Sequence, residues 1–175
     1  MTNNRVLRSI LLLCIALAFT LLSSLALAEP RELSWGDLIP LGIPYSEIIG
    51  EGEIDEEADT WNPIYDENGS RLNSLLDGEF VKIPGFVVPL ETDANGIHSF
   101  ILVPYMGACL HTPPPPPNQL VLVHTPAPWN HPDPWQPIWV IGEMRTQMQS
   151  NDIAETGYAI AADGIAVYEW EQEAN

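Results

Sequence analysis

Five consecutive prolines, Pro113–Pro117, constrain this chain more than any other stretch. Their rings fix φ and remove backbone donors, so the run is a stiff polyproline segment that cannot enter a helix or a central strand. Gly107-Ala108-Cys109-Leu110-His111-Thr112 precede it, and Asn118-Gln119 follow. Cys109 and His111 are two positions apart, so in extended backbone a thiol and an imidazole point to the same side. This pattern marks a site or a rigid surface feature.

The first 28 residues read as an export leader. Arg5 and Arg8 give a positive start, an apolar run extends from Ile10 to Leu22, and Ala26-Leu27-Ala28 supplies small residues for cleavage after Ala28. The rival is an uncleaved anchor, because Ile10–Ala28 is long enough to span a bilayer. Both readings place the folded part in the periplasm, free or tethered to the inner membrane. No second stretch of spanning length exists in the sequence.

Charge excludes some partners. With the leader removed, only Arg31, Arg71, Lys82 and Arg145 stand against 24 acidic residues. Such a surface repels phosphate backbones and anionic headgroups, so nucleic acid and lipid surfaces are poor partners and cations are better ones. Solubility alone also accounts for a high net charge. Loss of Cys14 with the leader leaves Cys109 as the sole thiol, so no intramolecular disulfide can form. A negative field and the lack of a nearby Lys or Arg raise its pKa, whereas a divalent metal would hold the thiolate directly.

Residues 29–70 read as an irregular, acidic lead-in packing on the domain that follows. Leu33, Trp35, Leu38 and Ile39 offer an apolar clasp, and the glycine- and acid-rich Gly50–Thr60 reads as a solvated loop. Arg71–Leu76 suits a short helix ended by Asp77-Gly78. Residues 71–175 then form the main domain. Strands are expected at Phe80–Leu90, with Pro84-Gly85 as a bulge or bend, at His98–Tyr105, at Gln119–His124 and at Ile138–Met144. Thr125–Pro137 reads as a long loop and Arg145–Thr156 as a helix. Tyr158–Ala162 and Ile165–Trp170 read as a hairpin turning at Asp163-Gly164. Short strands in this number give a mainly β fold, a small OB-like barrel with one or two short helices, with a β-sandwich as the alternative.

Several of these segments together carry a resemblance. Ile83-Pro84-Gly85-Phe86-Val87-Val88-Pro89-Leu90-Glu91, Phe100–Tyr105, the Cys109/His111/polyproline run closed by Asn118-Gln119, and the opening Trp35, Asp37, Leu38 and Pro40 resemble domain-of-unknown-function family 3299. These are small exported proteins of proteobacteria, and the likeness covers most of residues 33–170. The resemblance implies an accessory role at the inner membrane beside an ATP-driven transport system, with a link to metal homeostasis. The acidic piece Glu51–Asp59 has no counterpart in that likeness.

Three chemistries compete at the motif. Cys109 and His111 suit zinc, with His124 and His131 as further ligands and His98 and Asp133 in reserve. Against this, Cys109 also reads as a small buried core residue, the commoner state of a free cysteine, and His111 as a loop-capping group. A thiol-dependent enzyme would use Cys109 as nucleophile with His124 or His131 as base. Pro113, Pro114, Pro115, Pro116 and Pro117 form either a docking rod for a protein partner or a strut, and Trp129 and Trp135 either stack on a partner or cover the barrel mouth. The combined expectation is an exported, non-catalytic binding protein of a membrane transport assembly, with zinc as its candidate cofactor. A thiol enzyme and a purely structural interaction module are the alternatives.

Overall fold

In the computed structural model the described residues are 29–55, 60–107, 114–130, 133, 135–151 and 153–169. The expected leader, residues 1–28, lies outside them, and among them no helix is long and apolar enough to cross a membrane. The described residues form eight strands: β1 (Arg31–Glu32), β2 (Ile48–Asp55), β3 (Thr60–Tyr65), β4 (Phe80–Asp93), β5 (Gly96–Val103), β6 (Val121–Trp129), β7 (Ile138–Ser150) and β8 (Glu155–Val167). Short 3-10 turns occupy Trp35–Leu38, Glu67–Ser70, Ser74–Leu76 and Pro117–Gln119.

Strands β4 to β8 make a five-stranded barrel in the order β4-β5-β6-β8-β7, and β7 pairs back to β4. All of these pairings are antiparallel except β6 with β8. That is the OB-like arrangement, and closure excludes the sandwich. Alternation explains the filling. Val81 and Ile83 of β4, Phe100 and Leu102 of β5, and Val121 and Val123 of β6 point inward and are buried. Ile101 and Val103 take the other face of β5, where they join Leu120 in a second small apolar cluster.

Closure depends on β4 serving two neighbours. Phe80–Gly85 pair with β7, and Phe86–Asp93 pair with β5. The handover falls at Pro84-Gly85. A Cβ on Gly85 would sit 2.7 Å from the Val103 carbonyl oxygen and 3.0 Å from the Trp35 ring, so only glycine fits. The Trp35 indole N–H donates to the Pro84 carbonyl at 2.8 Å and roofs the bend.

The lead-in is less irregular than its composition suggests. β1 runs parallel to the start of β4, and Leu33 and Leu38 enter the main core. The Tyr158 hydroxyl donates to the Leu38 carbonyl and accepts from the Asn73 backbone N–H, joining lead-in to barrel. The expected solvated loop is mostly strand. β2 and β3 form an antiparallel hairpin with two register shifts, although residues 56–59 lie outside the described part.

Two further expectations are corrected. Arg145–Thr156 is not helical, because β7 continues to Ser150 and β8 starts at Glu155. Met144 is fully buried among the inward side chains, and pairing with β8 outweighs the weak helical propensity of this polar stretch. Asp163-Gly164 is not a hairpin turn. β8 runs through it, and Asp163 is the extra residue of a bulge where Gly164 faces Ile141 and Ala162 faces Gly142. Likewise β6 extends through Pro126 and Pro128 to Trp129, shortening the expected loop.

Gly85→Ala is expected to destabilise the fold by about 1–3 kcal/mol through overpacking at the bend. Gly164→Ala, whose added carbon would meet nothing nearer than 3.8 Å, is expected to stay within about 0.5 kcal/mol of wild type. Urea unfolding of the two variants checks this, and equal midpoints would refute the role given to Gly85.

Candidate functional site

The downstream end of the proline run is fastened to the lead-in. Pro115 and Pro116 are buried, Pro114 and Pro117 half-buried, and Pro116 has φ −62° and ψ 158°, the polyproline conformation. The Tyr65 hydroxyl, at the end of β3, donates to the Pro114 carbonyl. Gly69 lets the chain pass close by: a Cβ there would lie 3.1 Å from Cβ of Pro116 and 2.9 Å from the Ser46 hydroxyl.

Asn118 and Gln119 complete the attachment. Asn118 Nδ2 donates to the carbonyls of Asn68 at 2.8 Å and Arg71 at 3.2 Å, and Gln119 Nε2 donates to the Trp35 carbonyl at 3.1 Å. Both side chains are buried, where unmade hydrogen bonds are costly, so these contacts specify how the run sits. Asn118 Oδ1 is buried with no hydrogen-bond partner. Sequence reasoning placed Asn118-Gln119 at the end of the motif but gave them no role. A pair of amides after a stiff run, ahead of an apolar strand, is the signal that could have found them.

An open groove of about 300 Å³ lies along this attachment. Tyr65 and Pro63 of β3 form one wall, Pro114 and Pro115 another, and Asn151 and Ile153 of the β7–β8 connection a third. Burial pushes the Tyr65 hydroxyl up to about 12, with Tyr45 and Tyr105 adding to the effect, so it remains a neutral donor at physiological pH. Burial likewise pushes Tyr158 up to about 12.

The expected ligand set is only partly within the described residues. Cys109, His111 and His131 lie outside them, as does Pro113. His124 is exposed on β6, opposite Ser99 and Ala161. His98 stands 3.1 Å from the Asp93 carboxylate at the β4–β5 turn. There the Asn95 backbone N–H and the His98 ring hold Asp93 down to about 2. Asp133 accepts from the Trp135 backbone N–H at 2.9 Å. Among the described residues no three His, Cys, Asp or Glu side chains gather to hold a metal.

The two tryptophans have different surroundings. Trp129 is half-buried against Phe100, with ring centroids 6.0 Å apart, and lines a recess of about 330 Å³ with Gly96 and Asn130 beside the β4–β5 turn. Trp135 is exposed on the β6–β7 connection.

A family model described as a protein of unknown function, DUF3299, matches residues 35–167. Among solved structures, the crystal structure of a DUF3299 family protein from Pseudomonas aeruginosa PAO1 is similar. It shares 36% sequence identity, with a TM-score of 0.68 over 82% of this chain and 99% of that chain. No curated protein matches.

Tyr65 and Tyr158 generate an alkaline signature. An unfolded tyrosine ionises near 10.0, whereas these two resist ionisation to about 12 when folded. Their contribution to stability is therefore full below pH 10 and is lost as pH rises from 10 to about 12. Tyr65→Phe and Tyr158→Phe are each expected to flatten that decline and to cost about 1 kcal/mol at neutral pH. Denaturation midpoints measured across this range check both.

Proposed function

The chain belongs to the DUF3299 family, and from that footing we propose that it is an exported, non-catalytic binding protein of the periplasm. In this reading it serves as an accessory subunit of an inner-membrane transport assembly. The observation that carries the reading is the proline run itself. Its downstream end is fixed by Tyr65, Asn118 and Gln119, beside an open groove walled by β3 and the β7–β8 connection. A groove whose proline wall is already rigid loses little entropy when a partner docks. The apolar leader and the acidic surface agree with export and with a protein partner in preference to nucleic acid or anionic lipid.

Zinc enters this reading through Cys109 and His111. A thiolate and an imidazole suit that ion, whose charge would keep the sulfur ionised. Further ligands would come from residues beyond that pair.

Freshly purified wild-type protein is expected to contain zinc, and Cys109→Ser to lose most of it. Elemental analysis giving equal zinc in the two would remove the metal from the reading. The full chain, purified from its native membranes, is expected to bring down an inner-membrane transport complex identifiable by mass spectrometry. Asn118→Ala, which removes the amide bonds to the Asn68 and Arg71 carbonyls and loosens the proline run, is expected to reduce that recovery. Elution of the wild-type protein alone would overturn the accessory role.

A further inference from the structure

The β2–β3 hairpin is a sheet separate from the barrel. Among the described residues these strands pair only with each other, so the outer edge of β2 has no strand neighbour. Two-stranded hairpins are marginal in water and gain from a third strand. β3 carries Pro63, which lacks an N–H and blunts its edge, and it turns toward the groove. β2 contains no proline in Ile48–Asp55; its irregularities fall between Ile48 and Glu53, and the pairing is regular from Glu53 to Asp55.

Its side chains are unusual for a solvated arm. Ile48, Ile49, Ile54 and Ile64 are 43%, 67%, 59% and 54% exposed. Solubility does not require four exposed isoleucines on one hairpin, whereas a contact surface does. The exposed carboxylates Glu51 and Glu53 stand between Ile49 and Ile54, and Glu47 precedes Ile48. No Lys or Arg occurs from residue 32 to residue 70. Three of the chain's cations are engaged elsewhere: Arg71 with Glu67, Lys82 with Glu32 and Arg145 with Glu143.

We propose that the β2 edge is a docking site for an extended segment of a protein partner in which basic and apolar side chains alternate. The segment adds a third strand by main-chain hydrogen bonds. Its apolar side chains cover Ile48 and Ile54, which pair with Tyr65 and Trp61 on one face of the hairpin, and its cations meet the carboxylates of Glu51 and Glu53. Charge complementarity favours this occupant over a second copy of the chain, whose own β2 would bring carboxylates against carboxylates. The inference rests on the binding-protein reading above and specifies the chemistry of the partner.

The test uses the full mature chain and a synthetic octapeptide of alternating lysine and valine, with a glutamate–valine octapeptide as control. NMR of backbone amides reports the site. The lysine peptide is expected to shift and protect the amides of Ile48–Asp55. Glu51→Lys combined with Glu53→Lys is expected to weaken binding by roughly tenfold or more. Raising ionic strength to about 0.5 M is expected to weaken it as well. Retained β2–β3 cross-strand contacts in the variant show that the hairpin still forms. The inference fails if the peptide shifts no β2 amides, if both peptides bind alike, or if sedimentation shows the chain dimerising through β2. Membrane recovery separates this inference from the reading beneath it. A charge-reversed variant that still brings down the transport complex sinks the hairpin site alone, and a wild-type chain that brings down nothing sinks the accessory role alone.

Discussion

The structure depends on one strand being shared by two neighbours. β4 leaves β7 and takes up β5 at Pro84-Gly85, and that handover turns an open sheet into a closed barrel. The bend is tight because the Val103 carbonyl and the Trp35 ring occupy the space a side chain would need. Trp35 both fills the bend and bonds the Pro84 carbonyl. The lead-in is therefore part of the barrel's closure rather than an appendage, and burial of Leu33 and Leu38 in the same core says the same.

A second set of contacts turns this barrel into a platform. Tyr158 reaches from β8 to the Leu38 carbonyl and the Asn73 N–H. Asn118 and Gln119 reach from the end of the proline run to Asn68, Arg71 and Trp35. All three side chains are buried and form long-range hydrogen bonds to backbone, so each fixes a segment that has no ladder of its own. Polyproline supplies stiffness without internal hydrogen bonds, and the amides supply its position.

Much of the architecture was legible in the sequence. The β-rich runs from Phe80 onward located the barrel strands, and Pro84-Gly85 marked the bend. Local signals misled where tertiary pairing overrode them. Asp163-Gly164 has turn composition, yet it is a bulge because β8 has a continuous partner in β7. Arg145–Ser150 lacks strong strand residues, and the pairing with β8 supplies what propensity does not. Gly50, Gly52 and the flanking glutamates concealed β2, whose strand partner is set by Trp61-Asn62-Pro63-Ile64-Tyr65 across the hairpin. At the site, the proline run was conspicuous, but Tyr65 was not. Its role comes from Pro114, 49 residues away. Separations of that kind leave no local pattern to read.

The parallel contact between β6 and β8 has a temporal side. β8 is the final barrel strand in the chain, and it alone fills the gap between β6 and β7. Until it arrives, both neighbours expose an unsatisfied edge, and β4 and β7 can meet only at one side of an unfinished sheet. A chain synthesised from its amino end thus cannot complete the barrel until nearly all of it has been made, and long-range strand pairing is the last contact to form.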